Sequence, residues 1–177
     1  MKKIVFIATL TTAVMSNLYA ADGTITINGL VTDKTCDIVT PAGKDFTVTL
    51  PTVSKTTLGT TGSVAGRTPF QINLANCSAG KVATYFEPGS NVDFNSGRLL
   101  NMDTTGAKNV HVQLLGSNNM FIPVTAAGAS GAQNNSQWVT VADGAGADLN
   151  YYAEYYATAA ASAGLVKSSV QYTIIYH

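Results

Sequence analysis

Short segments in which apolar or β-branched residues alternate with polar ones recur along this chain. Glycine, asparagine, aspartate, serine and proline clusters separate them. The clearest segments are residues 24–27, 46–50, 70–74, 110–114, 149–156 and 170–176. Alternation with a period of two places successive side chains on opposite faces of a strand. Because no segment carries a sustained helical stripe, the pattern predicts an all-β antiparallel sandwich, with loops at 59–62, 116–119 and 128–136.

The N-terminus carries the pattern of a secretory signal peptide. Met1-Lys2-Lys3 is basic, and the apolar run at residues 4–15 is too short to span a bilayer. The small residue Ala20 favours cleavage after it, although cleavage after Ser16 also leaves small residues near the cut. We therefore expect residues 1–20 to be removed and the mature chain to be exported. No other segment is apolar and long enough to cross a membrane.

The charge balance argues against nucleic acid as a partner. The whole chain has 10 basic and 10 acidic residues, and removal of Lys2 and Lys3 leaves the exported part nearly neutral. Charged residues make up 11% of the chain, against roughly 25% in an ordinary soluble domain. A surface with so little repulsive charge tolerates self-association, as a filament subunit requires.

The two cysteines, Cys36 and Cys77, both lie in the exported part. An oxidising compartment favours one disulfide between them, which in the chain-entropy model contributes about 4 kcal/mol. Two metal-ligating thiolates are the alternative, but there is no Cys-x-x-Cys pair or companion histidine. The sequence also offers no nucleophile, acid–base pair or cofactor motif, so we expect neither an enzyme nor a cofactor or metal site.

The C-terminal residues form an alternating strand with an apolar face and no strand after it. That face comprises Val166, Ser168, Val170, Tyr172, Ile174 and Tyr176. A strand at the edge of a sandwich needs a neighbour on its open side, so that neighbour has to come from elsewhere. Near the other end, residues 23–31 alternate in the same way. Gly23, Ile25, Ile27, Gly29 and Val31 share one face of this segment.

Four features together give the chain a family resemblance. The alternating arm Gly23–Gly29 precedes Cys36 by a short step, and Phe70-Gln71-Ile72-Asn73-Leu74-Ala75-Asn76 leads into Cys77. A further strand pattern covers residues 109–115. Gly164 stands fourteen residues from the C-terminus, counted inclusively, with Tyr155-Tyr156-Ala157-Thr158 upstream and Tyr176 penultimate. The chain resembles the major-subunit pilins of type 1-like fimbriae, which the chaperone–usher route assembles.

The resemblance implies an incomplete immunoglobulin-like sandwich that lacks its last strand and is completed in trans by a donor strand. Residues 21–31 would be the donor extension and residues 32–177 the pilin domain. The resemblance implies that Gly23, Ile25, Ile27 and Gly29 are donor positions. It places the acceptor groove and chaperone-binding edge at Gly164, Val166, Val170, Tyr172, Ile174 and Tyr176. The implied partners are neighbouring pilin subunits, a periplasmic fimbrial chaperone and an outer-membrane usher, and the implied location is an extracellular fimbria.

Two other functions remain as alternatives. A one-domain adhesive subunit would bind a carbohydrate itself, with Trp138 or the tyrosines at residues 151–156 as contacts. A tip adhesin with two domains would need a lectin domain ahead of the pilin domain, for which this chain has no room. A secreted enzyme is the weaker alternative, because no catalytic set is present.

Overall fold

The computed structural model describes residues 22–125, 127, 128 and 131–177. The chain divides between Val31 and Thr32 into two units. In the first, residues 22–31 form no regular secondary structure. The proposed signal peptide, residues 1–20, lies outside the described residues.

The regular secondary structure of the second unit is almost entirely β-strand. One short 3-10 helix, Lys55–Leu58, begins at Ser54, whose side-chain oxygen accepts a hydrogen bond from the Thr56 amide. The strands are β1 (Asp37–Ile38), β2 (Val64–Ala75), β3 (Gly80–Phe86), β4 (Val92–Asp93), β5 (Arg98–Leu100), β6 (Val110–Gly116), β7 (Phe121–Ile122), β8 (Val139–Val141), β9 (Ala147–Ala157) and β10 (Tyr172–Tyr176). No helix within this described part is long and apolar enough to span a membrane.

The strands form two antiparallel sheets. The larger has seven strands in the order β1-β2-β9-β6-β5-β4, with β7 also paired to β6, and the smaller has the order β10-β3-β8. The long pair β2 and β9 runs in register from Phe70 opposite Tyr151 to Leu74 opposite Ala147. In the smaller sheet β10 pairs with β3 alone. The C-terminal strand is therefore an edge strand.

The core lies between the two sheets and collects the alternate residues of their strands. Fully or almost fully buried side chains include Ile72, Leu149, Val82, Phe86 and Ile122. A second, smaller cluster packs Leu58, Ala107, Val110 and Ala157 together at one end. Burial of each large aliphatic or aromatic side chain contributes about 1.5–3 kcal/mol, so these faces dominate the stability of the sandwich.

The structure confirms the all-β prediction and most of the predicted strands. Residues 70–74 lie in β2, 110–114 in β6 and 149–156 in β9, whereas the last strand begins only at Tyr172. Residues 24–27 and 46–50, also predicted as strands, pair with no strand among the described residues. Their alternation is that of a strand, but a ladder needs a hydrogen-bonded neighbour.

The predicted disulfide is present. Cys36 and Cys77 are bonded, with their sulfur atoms 2.07 Å apart, across a sequence separation of 41 residues. The bond joins the residue before β1 to the residue that follows the end of β2 by two positions. It therefore fixes the start of the second unit to one of its two longest strands.

Candidate functional site: the groove beside the C-terminal strand

Two bare backbone edges face each other along one side of the sandwich. The first is the open edge of β10, since β3 occupies its other edge. The second is the segment at residues 44–50, which makes no backbone–backbone hydrogen bond with any described residue. Along this segment Phe46, Val48 and Leu50 are half-buried against the core while the residues between them are exposed. We call the gap between β10 and residues 44–50 the groove.

Side chains, not a ladder, connect the two edges of the groove. The Tyr172 hydroxyl donates a hydrogen bond to the Lys44 carbonyl oxygen at 2.9 Å, and the Cys36 amide donates to the Tyr176 hydroxyl oxygen at 3.0 Å. The Phe46 and Tyr172 rings lie 6.4 Å apart between their centroids. Burial, with the nearby negative charge of Asp45, raises the pKa of Tyr172, so its hydroxyl stays protonated and can donate.

The apolar face of the C-terminal segment faces the core. Val166, Val170, Tyr172, Ile174 and Tyr176 are each partly buried and pack against the main core cluster. The residues between them are exposed, except for Ser168 and Ile175, which are partly buried. The structure thus brings five of the six predicted acceptor residues onto one face. That face remains only half-covered, although full burial of such side chains would contribute about 1.5–3 kcal/mol each.

Gly164, the sixth predicted acceptor residue, lies where the chain crosses the connection between β5 and β6. Its φ is +155°, a conformation that favours glycine. A Cβ at this position would overlap the Ala107 nitrogen and lie 2.7 Å from the Gly106 carbonyl carbon. The neighbouring Leu165 carbonyl accepts a hydrogen bond from the Ala107 amide at 2.9 Å. Gly164 therefore has a clear structural role, which is to permit close backbone contact.

The predicted donor residues lie in the first unit and are exposed there. Ile25 and Ile27 are each 90% exposed. Around Gly23 and Gly29 there is open space within 4 Å of where a Cβ would stand. Two large aliphatic side chains in water represent several kcal/mol of burial free energy that association with an apolar surface would release.

Comparisons with known proteins place this geometry in a family. The family model described as "Type-1 fimbrial protein, A" matches residues 50–177. The chain is 72% identical over 159 residues to the "Major fimbrial subunit SMF-1" of Stenotrophomonas maltophilia (strain K279a), covering 89% of this chain and 94% of that protein. It is 42% identical over 183 aligned positions to the "F17 fimbrial protein" of Escherichia coli, covering 99% of each.

The chain belongs to the type-1 fimbrial protein family.

Solved structures of fimbrial proteins agree on the fold. The rod subunit PapA of the P pilus matches with a TM-score of 0.59 at 21% identity, covering 80% of this chain and 99% of that one. A chain from a chaperone–usher pilus matches with a TM-score of 0.60 at 23% identity, covering 89% and 96%. These likenesses confirm the immunoglobulin-like all-β class. Together with the sequence relatives they identify this family member as a structural subunit of a cell-surface fimbria.

Sequence reasoning missed one wall of the groove. The alternation of Phe46, Val48 and Leu50 was visible, but it indicated an ordinary strand and not an unpaired edge. Nothing in the sequence showed that the partners of the two tyrosine hydroxyls would be Lys44 and the Cys36 amide. Bonds between residues more than 120 positions apart have no local sequence signature.

Sequence reasoning also missed a polar network on the outer face of the larger sheet. Arg67 on β2 donates from Nε to Glu154 Oε2 at 2.8 Å, and Gln113 on β6 donates to Glu154 Oε1 at 2.6 Å. Arg98 on β5 donates to Gln113 at 3.0 Å and stacks over the Tyr156 ring, 3.6 Å from its centroid. Glu154 is only 2% exposed, and its hydrogen bond raises the pKa of Arg67. The network joins four strands on the face of the sheet for which the alternation of apolar residues predicts no contacts.

A cleft of about 260 Å³ beside Trp138 bears on the carbohydrate alternative. Asn150 and Asp148 line it, with Trp138, Gln137 and Ser117 among the other lining residues. Two of its polar atoms are already engaged, because Asn150 Oδ1 accepts a hydrogen bond from Gln71 and Asp148 Oδ1 accepts one from Asn73. Within the described residues no cluster of histidine, cysteine or carboxylate side chains could hold a metal ion.

Proposed function

We propose that this fimbrial subunit polymerises by strand donation, in which residues 23–29 of one copy fill the groove of the next. The observation that carries the proposal is the pair of bare edges, β10 and residues 44–50, above a half-covered apolar face. An extended peptide that adds a strand to an open edge gains main-chain hydrogen bonds and side-chain pockets together.

The arm is long enough to span the groove and has a pattern that suits it. Seven extended residues span about 23 Å, whereas the five residues of β10 span about 16 Å. In an inserted strand Ile25 and Ile27 would point toward the apolar face, while Thr24, Thr26 and Asn28 would point outward. Burial of the two isoleucines from 90% exposure contributes about 3–6 kcal/mol in total. We expect the two glycines to allow close backbone approach where they enter the groove.

The same logic assigns the partners and the route. A periplasmic chaperone would cover the groove first, because an open edge with an apolar face invites aggregation. An outer-membrane usher would then exchange the chaperone strand for the arm of the next subunit. Residues 1–20 would direct export and be removed, leaving residues 21–31 as the donor extension and 32–177 as the pilin domain. Adhesion of the cell would then be a property of the assembled fibre, and no catalytic step is needed.

One pair of variants separates the apolar face of the arm from its polar face. Ile27→Asp places a carboxylate in the groove and should abolish oligomers that resist SDS and dissociate on heating. Thr26→Asp adds the same charge to the outward face and should leave the ladder of oligomers largely intact. Each chain is coexpressed with a fimbrial chaperone and examined on a gel, beside a chain that lacks residues 21–29. Equal ladders from both point variants would refute donation by this face.

A second pair separates the donor from the acceptor surface. Ile27→Asp should leave the chaperone complex intact, since the arm is not part of the groove. Tyr176→Ala removes a side chain that packs on the core and whose hydroxyl accepts a hydrogen bond from the Cys36 amide. It should therefore weaken chaperone capture and lower the periplasmic yield. The measurement is copurification of subunit with tagged chaperone. If both variants behaved alike, the two surfaces would not be distinct.

A further inference from the structure

The proposed donor arm contains an Asn–Gly pair, Asn28–Gly29, and the sequence has no other. In such a pair the deprotonated Gly29 backbone nitrogen can attack the Asn28 side-chain carbonyl carbon. A C–N bond closes a five-membered succinimide, and the bond to Nδ2 breaks to release ammonia. Water then opens the ring at either carbonyl and leaves aspartate or isoaspartate. Glycine favours the reaction because no Cβ shields its nitrogen and its backbone reaches the required conformations.

Other asparagines in the chain also precede a small or polar residue, but their surroundings differ from those of Asn28. After Asn76, Asn95, Asn118 and Asn135 the nitrogen that would attack already donates a hydrogen bond to a backbone carbonyl. These bonds are Cys77 to Ala145 at 2.9 Å after Asn76, Ser96 to Asp93 at 3.1 Å after Asn95, Asn119 to Gly116 at 2.9 Å after Asn118, and Ser136 to Gln133 at 3.0 Å after Asn135. Asn28 and Gly29 are exposed and take part in no hydrogen bond among the described residues. Asn135, which follows Asn134, also donates no backbone hydrogen bond, but its nitrogen is shielded by a Cβ, whereas the Gly29 nitrogen is not.

We propose that Asn28 is a spontaneous deamidation site which is open in the unassembled subunit and closed in the fibre. The claim that assembly into the fibre prevents the reaction rests on the proposed strand donation. Once the arm is paired as a strand, its backbone is held extended and its amides enter a ladder, so the ring cannot close without local opening.

Conversion of Asn28 to isoaspartate would disable the arm as a donor. Isoaspartate adds a methylene to the main chain between Ile27 and Gly29, which breaks the alternation that places both on one face. The ordinary aspartate product keeps the alternation and, like the aspartate of Thr26→Asp, lies on the outward face, so it should be tolerated. Asn28 itself is not a donor position, since it lies on the polar face. An aged subunit would keep its groove and lose its arm, so delayed subunits would be withdrawn from the pool that extends the fibre.

The chemical half is tested on the subunit purified in complex with its chaperone, incubated at mildly alkaline pH beside assembled fibres of the same chain. The tryptic peptide that ends at Lys34 is analysed by mass spectrometry with fragmentation that distinguishes isoaspartate. We expect acid to accumulate at Asn28 in the complex, and more than tenfold more slowly in fibres. An unchanged Asn28 in the complex would overturn the site, and equal rates in complex and fibre would overturn its closure.

The functional half uses Asn28→Gln as the matched variant, because glutamine keeps the amide but closes a six-membered ring far more slowly. Fresh and aged complexes of both chains are compared for formation of SDS-resistant oligomers. Aged wild-type complex should lose oligomers in proportion to the isoaspartate at residue 28, whereas aged Asn28→Gln should retain them. Equal losses in the two chains would refute the inference. Failure of strand donation itself would appear separately, as oligomers that persist without residues 21–29.

Discussion

Gly164→Ala tests whether the glycine near the C-terminus acts through backbone packing or through the groove. Its φ of +155° imposes strain of about 1–3 kcal/mol on an alanine. The new Cβ would overlap the Ala107 nitrogen and lie 2.7 Å from the Gly106 carbonyl carbon, and relief of such overpacking costs about 1–3 kcal/mol more. We expect a loss of about 3 kcal/mol or more in the free energy of unfolding.

Gly144→Ala is the matched control. Gly144 has a φ of +71° but open space within 4 Å of its Cβ position, so its variant should lose only about 1–2 kcal/mol. The assay is urea unfolding of the subunit with its groove saturated by a peptide of residues 21–31. Saturation keeps the stabilisation that comes from peptide binding the same for both variants. If the free energy of unfolding falls by about 2 kcal/mol for each 1 M of urea, the Gly164 variant should have an unfolding midpoint about 1 M lower in urea than the control.

Two results would refute this reasoning. Equal midpoints for the two variants would show that the contact with Ala107 imposes no cost. A Gly164→Ala chain of normal stability that binds the arm peptide more weakly would instead place Gly164 in the acceptor edge, as the family resemblance implied.

Three further predictions concern stability. Replacement of Cys36 and Cys77 by serine opens the 41-residue separation and should cost about 4 kcal/mol by urea unfolding. A double variant as stable as the oxidised, disulfide-bonded wild type would contradict this prediction. Arg67→Met leaves the buried Glu154 carboxylate without its cation and should cost about 2 kcal/mol, discounted because the Arg67 side chain is 40% exposed. Adding Glu154→Gln should restore most of this loss, and additive losses in the double-mutant cycle would refute the coupling. Burial lowers the pKa of His111, so the unfolded chain binds the proton more readily and stability should fall as the pH drops below about 6.5. His111→Gln should make the unfolding midpoint depend less on pH between about pH 7.5 and 5, and an unchanged pH dependence would contradict this assignment.

The strands with buried alternating faces were predictable because burial fixes their pattern locally. Ile72 and Leu74 in β2 and Leu149 in β9 are fully buried, and a shift of one residue would expose each of them. The Cys36–Cys77 bond was equally predictable, since an exported chain with two cysteines has one possible pairing.

The unpaired edge at residues 44–50 could not be predicted from the sequence. An alternating segment has the same pattern whether its neighbour belongs to its own chain or to another. The alternation shows which side chains share a face of the strand, but it does not show which strand pairs with it. The polar network around Glu154 was hidden for a related reason. A single charged residue in a strand gives no indication that Arg67, 87 positions away, neutralises it.

The most direct test of the central claim is a photo-crosslink from the arm in assembled fibres. A photoreactive phenylalanine analogue replaces Ile27, and isotope-labelled and unlabelled subunits are mixed before assembly. Mass spectrometry of the crosslinked peptides then reports which residues were reached and whether they belong to the same copy. Strand donation predicts crosslinks to residues 44–50 and to β10 that join labelled to unlabelled chains. Crosslinks confined to a single copy, or directed to another face of the sandwich, would contradict it.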